Sequence, residues 1–150
     1  MLFRSALLAR NPALHVTGQA CALFVPLVEN GFVDPDDPIP YLTAERYLAP
    51  IRACGADTLI LGCTHYPLLA PVISRVLPGV TLIDTGREAA HSLSALLTEQ
   101  QLHTDTDTPG SADFYVSDEP QGFARAASRF LGLAADEGVP IVRRVNIEAY

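Results

Sequence analysis

Short apolar runs alternate along this chain with segments of helical periodicity, and this alternation constrains the fold more than any other feature. A β-α alternation of this kind is typical of α/β folds built on a largely parallel sheet. The run Thr58–Leu61 is apolar after its first residue, as expected of a central parallel strand. We therefore predict an α/β fold with a parallel sheet. Its strands are expected over residues 15–17, 58–61, 80–84 and 114–116, and an edge strand or a mobile tail within 139–145.

Helices are predicted between these strands, and their ends follow from glycine, proline and capping residues. Pro50 should kink or shorten the second helix, and Thr85 with Glu88 has the spacing of a capping box. The prolines of residues 34–40 indicate a loop, the apolar residues 21–28 a buried element, and the polar residues 99–110 a linker. The helices are expected near residues 5–10, 44–54, 67–76, 85–97 and 120–132.

Composition excludes several classes of function. The formal net charge is -7 and the basic residues are not clustered, so we expect no nucleic-acid partner. All basic side chains are arginines, so the chain has neither a lysine for a Schiff base with pyridoxal phosphate nor a phosphate-loop lysine. No apolar run approaches the roughly 20 residues that cross a bilayer, and residues 1–10 are a poor secretion signal. We therefore expect a cytoplasmic protein without a membrane partner.

The three cysteines, Cys21, Cys54 and Cys63, cannot all pair with one another and show no C-x-x-C spacing, which favours reduced thiols. Cys54 falls on an apolar helix stripe and Cys21 in an apolar run, so both are predicted to be structural. Cys63 differs because it follows a strand and precedes a helix. Open α/β sheets bind ligands at such positions, and the start of a helix favours a thiolate or a carboxylate.

The neighbours of Cys63 strengthen a functional interpretation. Gly62 allows the backbone to approach a ligand closely, Thr64 adds a hydroxyl and His65 titrates near neutral pH. The alternative is that Cys63 is a small buried hydrophobe and His65 a hydrogen-bonded structural histidine. A metal site at Cys63 and His65 lacks further ligands at convincing spacing. By itself, Glu29 reads as a solvated loop carboxylate.

Four segments of this chain resemble landmarks of the bacterial glutamate racemases, in the expected order. The most specific is residues 61–69, LGCTHYPLL, which is similar to the second cysteine motif of that family. The other three are residues 18–29 (GQACALFVPLVE), residues 84–86 (DTG) and residues 114–118 (FYVSD). The resemblance implies a two-domain aspartate/glutamate racemase-like fold, of which this chain supplies the C-terminal half. Residues 1–80 would then belong to the second α/β domain, and residues 81–150 would return to the N-terminal domain.

The resemblance also implies a chemistry: interconversion of L- and D-glutamate for peptidoglycan synthesis, and hence for cell shape, without cofactor or metal. In that family two cysteines flank the substrate α-carbon. Cys63 matches the second of them, and Thr64 and His65 match residues that contact the substrate. His65 would also assist proton transfer at Cys63, and Glu29 matches a carboxylate that assists in the same region.

The family's N-terminal half, with the first catalytic cysteine, has no counterpart in these residues. We therefore expect the isolated chain to be inactive and to need that half, with a homodimer also conceivable. The rival interpretations are an aspartate racemase, a one-cysteine arylmalonate decarboxylase of the same superfamily, and a non-catalytic glutamate-binding module. Related aspartate racemases carry an acidic residue where this chain has His65, which favours glutamate.

Overall fold

The computed structural model describes residues 2–104, 108, 110–133 and 141–147, and it divides into two units. The first unit is Met1–Glu99 and the second is Gln100–Tyr150. In the first unit a pair of parallel strands is accompanied by five α-helices. These elements are α1 (Leu2–Arg10), α2 (Phe24–Glu29), α3 (Pro38–Ala53), β1 (Thr58–Leu61), a 3₁₀ helix (Tyr66–Leu69), α4 (Ala70–Val76), β2 (Thr81–Asp84) and α5 (Thr85–Glu99).

The two strands of the first unit pair in parallel, from Thr58 opposite Thr81 to Leu61 opposite Asp84. Their carboxyl ends therefore lie side by side, which is where a ligand site is expected in such a sheet. The core forms where α2, α3, the 3₁₀ helix and α4 pack together, and spacings of three and four residues bring its apolar side chains onto one face of each helix. Its buried members include Phe24, Val28, Ala44, Leu48, Ile51, Leu61, Leu69, Val72, Ile73 and Val76.

Helix α3 begins earlier and ends later than its prolines suggest. The Asp37 side chain accepts a hydrogen bond from the Ile39 N–H at 2.8 Å, and Pro38 occupies the first turn, where a missing N–H costs nothing. The residues from Pro38 to Pro40, expected in a loop, are therefore helical. Pro50 does not stop the helix, which continues to Ala53.

The prediction that Cys54 packs in the core is wrong. Because α3 ends at Ala53, Cys54 caps the helix and its side chain is exposed. Its thiol donates to the Ile51 carbonyl at 3.2 Å. Residues 15–17, which were predicted to form a strand, are described by the structure and do not form one. A β-strand requires backbone hydrogen bonds to a neighbouring strand, and this segment makes none.

The capping residue of α5 also differs from the prediction. The carboxylate of Asp84 accepts hydrogen bonds from the N–H groups of Gly86 at 2.9 Å and Arg87 at 3.2 Å. The last residue of β2 therefore satisfies the first turn of α5, and the expected capping box of Thr85 and Glu88 is not needed.

The second unit contains a β-α-β arrangement, with β3 (Phe114–Val116) parallel to β4 (Val142–Arg144) and α6 (Pro120–Leu131) between them in sequence. The Glu119 carboxylate caps α6 by accepting from two backbone N–H groups, and Gly132 ends the helix in the left-handed conformation at φ 65°. The edge strand expected within 139–145 forms at Val142–Arg144, and residues 139 and 140 lie outside the described residues.

The boundary within this chain lies in the polar segment that was predicted to be a linker, because β2 pairs with β1 and stays in the first unit. The assignment of residues 1–80 and 81–150 to two domains of a larger fold stays a prediction. Among the helices that the structure describes, none is both long and apolar enough to cross a membrane.

Candidate active site

The candidate site is the loop that leaves the carboxyl end of β1, from Gly62 to His65. A hydrogen bond from the Thr85 hydroxyl to the Leu61 carbonyl, at 3.3 Å, joins the end of β1 to the residue after β2. Gly62 is exposed, and a Cβ added there would meet only the ring of Phe3, at an ordinary contact distance of 3.8 Å. The chain's own packing therefore does not demand a glycine at this position.

Cys63 is partly buried, and its carbonyl accepts from the Tyr66 N–H at 3.2 Å. This hydrogen bond turns the chain into the 3₁₀ helix, in which Pro67 occupies an early position as predicted. The α-helix itself begins only at Ala70. The sequence suggested that the start of an α-helix would stabilise a thiolate at Cys63. A helix dipole acts only within the first turn, and the turn that follows Cys63 belongs to the short 3₁₀ helix and not to an α-helix.

His65 lies between two polar side chains. Its Nε2 is 3.5 Å from Oε1 of Glu29, and its Nδ1 is 3.2 Å from the Thr64 hydroxyl. The first distance is longer than an ordinary hydrogen bond, so this contact is electrostatic. An ionised carboxylate accepts hydrogen bonds and donates none, so the neutral ring fits best with its hydrogen on Nε2, facing Glu29, and with Nδ1 accepting from the Thr64 hydroxyl. The His65 side chain is 23% exposed, whereas that of Glu29 is 57% exposed.

Tyr66 connects this loop to α2, a role that the sequence reasoning did not assign. Its hydroxyl donates to the Cys21 carbonyl at 3.2 Å, and its ring meets Phe24 edge-on with centroids 5.3 Å apart. Burial, and then the nearby thiols of Cys21 and Cys63, raise the pKa of Tyr66, although the hydrogen bond opposes this. The phenol therefore stays protonated and remains a donor at neutral pH.

Cys21 is buried beneath the same loop and is 5% exposed. Burial raises the pKa of its thiol to about 11, so the group stays a neutral S–H, 3.9 Å from the Gln19 carbonyl. This agrees with the prediction that Cys21 is structural.

The structure therefore brings the side chains of Glu29, Thr64 and His65 together. Cys63 directly precedes Thr64 in the chain. Their proximity is a geometric result, and their catalytic roles remain predictions. Two surface depressions lie away from this loop: one of about 540 Å³ is lined by Tyr115 and Phe123, and one of about 750 Å³ by Leu23 and residues of α3. No group of three or more metal-binding side chains occurs within the described part of the chain.

The chain is similar to glutamate racemases in sequence. It is 44% identical over 123 residues to the glutamate racemase of Geobacter metallireducens, covering 81% of this chain and 45% of that protein. It is 42% identical over 137 residues to that of Syntrophus aciditrophicus, covering 91% and 48%. No family model matches the chain.

Solved structures agree with these relatives. Glutamate racemase from Francisella tularensis, determined in complex with D-glutamate, superposes with a TM-score of 0.83 at 33% identity over 99% of this chain and 53% of that one. Glutamate racemase from Thermus thermophilus, in complex with β-chloro-D-alanine, gives 0.74 at 39% identity over 88% and 48%. The predicted racemase-like α/β fold is confirmed. The chain is similar to the glutamate racemases in sequence and in fold, and it spans about half the length of the relatives it matches.

Proposed function

We propose that this chain is the C-terminal half of a glutamate racemase and that Cys63 is one of two acid/base thiols that act on the α-carbon of glutamate. The observation that supports this proposal is the 3.5 Å distance between His65 Nε2 and Glu29 Oε1, which pairs a carboxylate with the histidine two residues after Cys63, in the loop that follows β1. A thiol can both release and accept a proton near neutral pH, which a reversible reaction at a chiral centre requires. No cofactor or metal is needed for that exchange.

His65 is proposed to take up the proton of Cys63 on Nδ1, after this nitrogen exchanges the Thr64 hydroxyl for the thiol, while Glu29 orients the ring through Nε2 and balances the charge of the imidazolium. In the absence of substrate the Thr64 hydroxyl donates to Nδ1 of His65. Once released from that nitrogen, the same hydroxyl is proposed to donate its single proton to the substrate carboxylate. Removing an α-proton builds negative charge on the amino acid, and polar donors fixed in advance stabilise such charge without reorganising. The exposed Glu29 carboxylate is then an orienting group and not the primary base.

The second thiol is proposed to come from the part of the racemase that this chain does not match. The chain covers 45% and 48% of its Geobacter and Syntrophus relatives, so a complete pocket requires further polypeptide. The Francisella enzyme was determined with D-glutamate, which supports glutamate as the substrate class. In the cell we propose a cytoplasmic isomerase that supplies D-glutamate for peptidoglycan.

The test uses this chain joined to the unmatched part of the Geobacter relative. In D₂O, the completed protein should exchange the α-proton of either glutamate enantiomer and invert its configuration, as followed by NMR and chiral chromatography. The substitution Cys63→Ser should reduce inversion by about 1,000-fold or more, on the scale of losing a catalytic group. Cys54→Ser is the matched control because Cys54 is exposed and lies outside the site. Undiminished inversion by the Cys63→Ser protein would refute the assignment.

A second candidate function follows from the same coverage of about half. The chain alone has one half of the expected pocket, which suits a glutamate-binding module without turnover. Calorimetric titration of the 150-residue chain with L- and D-glutamate separates the two proposals. Tight binding without proton exchange, in the chain and in the completed protein alike, would favour the module. Turnover of aspartate or arylmalonate instead of glutamate would favour the related enzymes.

A further inference from the structure

Tyr66 joins the loop after β1 to the turn that begins α2. Its side-chain hydroxyl donates to the Cys21 carbonyl at 3.2 Å, and the Phe24 N–H donates to the same carbonyl at 3.0 Å. A carbonyl oxygen has two lone pairs, so both hydrogen bonds can form together. The backbone N–H of Tyr66 donates to the Cys63 carbonyl at 3.2 Å. A single residue therefore connects the turn at Cys63 with the start of α2.

Two neighbouring residues of this loop contact opposite ends of α2. The Tyr66 hydroxyl bonds to Cys21, which lies just before the helix, whereas the His65 ring lies 3.5 Å from Glu29, the last residue of the helix. The helix has six residues and therefore fewer than two turns, which is too short to be stable without its neighbours. The position of Glu29 beside His65 thus depends on how the start of α2 is held.

The contact between Glu29 and His65 does not fix its own geometry. Glu29 is exposed, and the 3.5 Å separation is longer than an ordinary hydrogen bond, so the attraction between the two groups is weak. Phe24 and Val28 hold α2 against the core, but hydrophobic contacts are non-directional and allow small shifts along the surface. The hydrogen bond from Tyr66 is directional and restricts such shifts.

We propose that the Tyr66 hydroxyl is a positioning group of the candidate active site, which fixes the start of α2 to the loop after β1 and thereby sets the Glu29 carboxylate against the His65 ring. This inference rests on the proposed function for the reaction that the pair assists. Burial, and then the thiols of Cys21 and Cys63, raise the pKa of Tyr66, so the hydroxyl keeps its proton and remains a donor at neutral pH. Tyr66 then acts on the reaction through Glu29 and His65.

The kinetic test is a double-mutant cycle in this chain joined to the unmatched part of the Geobacter relative. Tyr66→Phe and Glu29→Gln should each lower kcat for glutamate about 10-fold, and the two together should also lower it about 10-fold, because both disturb the same contact. A purely structural role for Tyr66 predicts independent losses that multiply to about 100-fold. Tyr47→Phe is the matched control, since it removes a hydroxyl from a second ring that meets Phe24 edge-on, with centroids 5.6 Å apart, and it should leave kcat unchanged.

A second, geometric test requires no turnover. In the 150-residue chain, nuclear Overhauser contacts between the His65 ring and the Glu29 side chain should be present, should weaken in Tyr66→Phe and should persist in Tyr47→Phe. An unchanged contact in Tyr66→Phe would overturn the proposal, as would kinetic losses that multiply. If the completed protein leaves glutamate unchanged while the contact depends on Tyr66, the positioning role stands and the proposed function fails.

Discussion

The buried thiol of Cys21 should make this protein lose stability at alkaline pH. Burial raises its pKa from 9.0 to about 11, so the folded state keeps the proton in a range where the unfolded chain releases it. The unfolded state then binds fewer protons, and the free energy of unfolding falls as pH rises. The stabilising contribution is complete below pH 9 and is lost as pH rises through 11. Two pKa units correspond to about 3 kcal/mol in total, and about 1 kcal/mol should already be lost between pH 8 and pH 10.

The measurement is urea unfolding followed by circular dichroism at pH 7, 8, 9 and 10. In Cys21→Ala the stability should be lower at every pH because a packed side chain is removed, but the loss of about 1 kcal/mol between pH 8 and 10 should disappear. Cys54→Ala should retain the full loss because Cys54 is exposed. Because the Cys21 thiol also raises the pKa of Tyr66, a Tyr66→Phe background should be used for all three proteins, so that titration of the phenol does not enter the comparison. An unchanged alkaline loss in Cys21→Ala would refute the argument.

Three further substitutions test other parts of the structure. Tyr66→Phe should lower the free energy of unfolding by about 1 kcal/mol, because the Cys21 carbonyl loses its donor while the ring contacts remain. An unchanged free energy of unfolding would mean that water replaces the hydroxyl. Glu119→Ala should cost about 1 kcal/mol through loss of the α6 cap, read from urea unfolding, and Glu119→Asp should recover part of it if the capping geometry is right. Gly62→Ala should leave the free energy of unfolding within about 1 kcal/mol of that of the unchanged chain, because the added Cβ meets only Phe3. The same substitution should weaken glutamate binding in the completed protein. A large loss of stability would contradict the open space at Gly62.

Local signals in the sequence predicted most of the secondary structure. Thr58–Leu61 and Thr81–Asp84 stand out as short apolar runs, and Pro120 with Gly132 marks both ends of α6. The misplaced Cys54 shows the limit of such signals. The apolar stripe of α3 continues to this residue in the sequence, but the helix ends one residue earlier, and helix ends are set by backbone hydrogen bonds that a pattern of side chains does not record.

The site was harder to predict because its contacts join distant parts of the chain. Cys63, Thr64 and His65 are adjacent and could be identified from their position after a strand. Glu29 could not, because nothing local distinguishes it from a solvated carboxylate, and only the resemblance to a family indicated it. Tyr66 was missed because its hydrogen bond to Cys21 spans 45 positions, and no spacing rule connects two such residues.

The register of α2 explains how an exposed carboxylate comes to lie beside His65. Phe24 and Val28, four residues apart, bury the same face of this short helix. Glu29 follows Val28 and is therefore turned about 100° away from the core, to the edge where the loop after β1 passes. Tyr66 holds the other end of the helix through the Cys21 carbonyl and the Phe24 ring. A shift of one residue along α2 would bring Glu29 into the core position of Val28, where an unpaired carboxylate is strongly disfavoured. The apolar pattern that folds α2 thus also directs its last side chain toward His65.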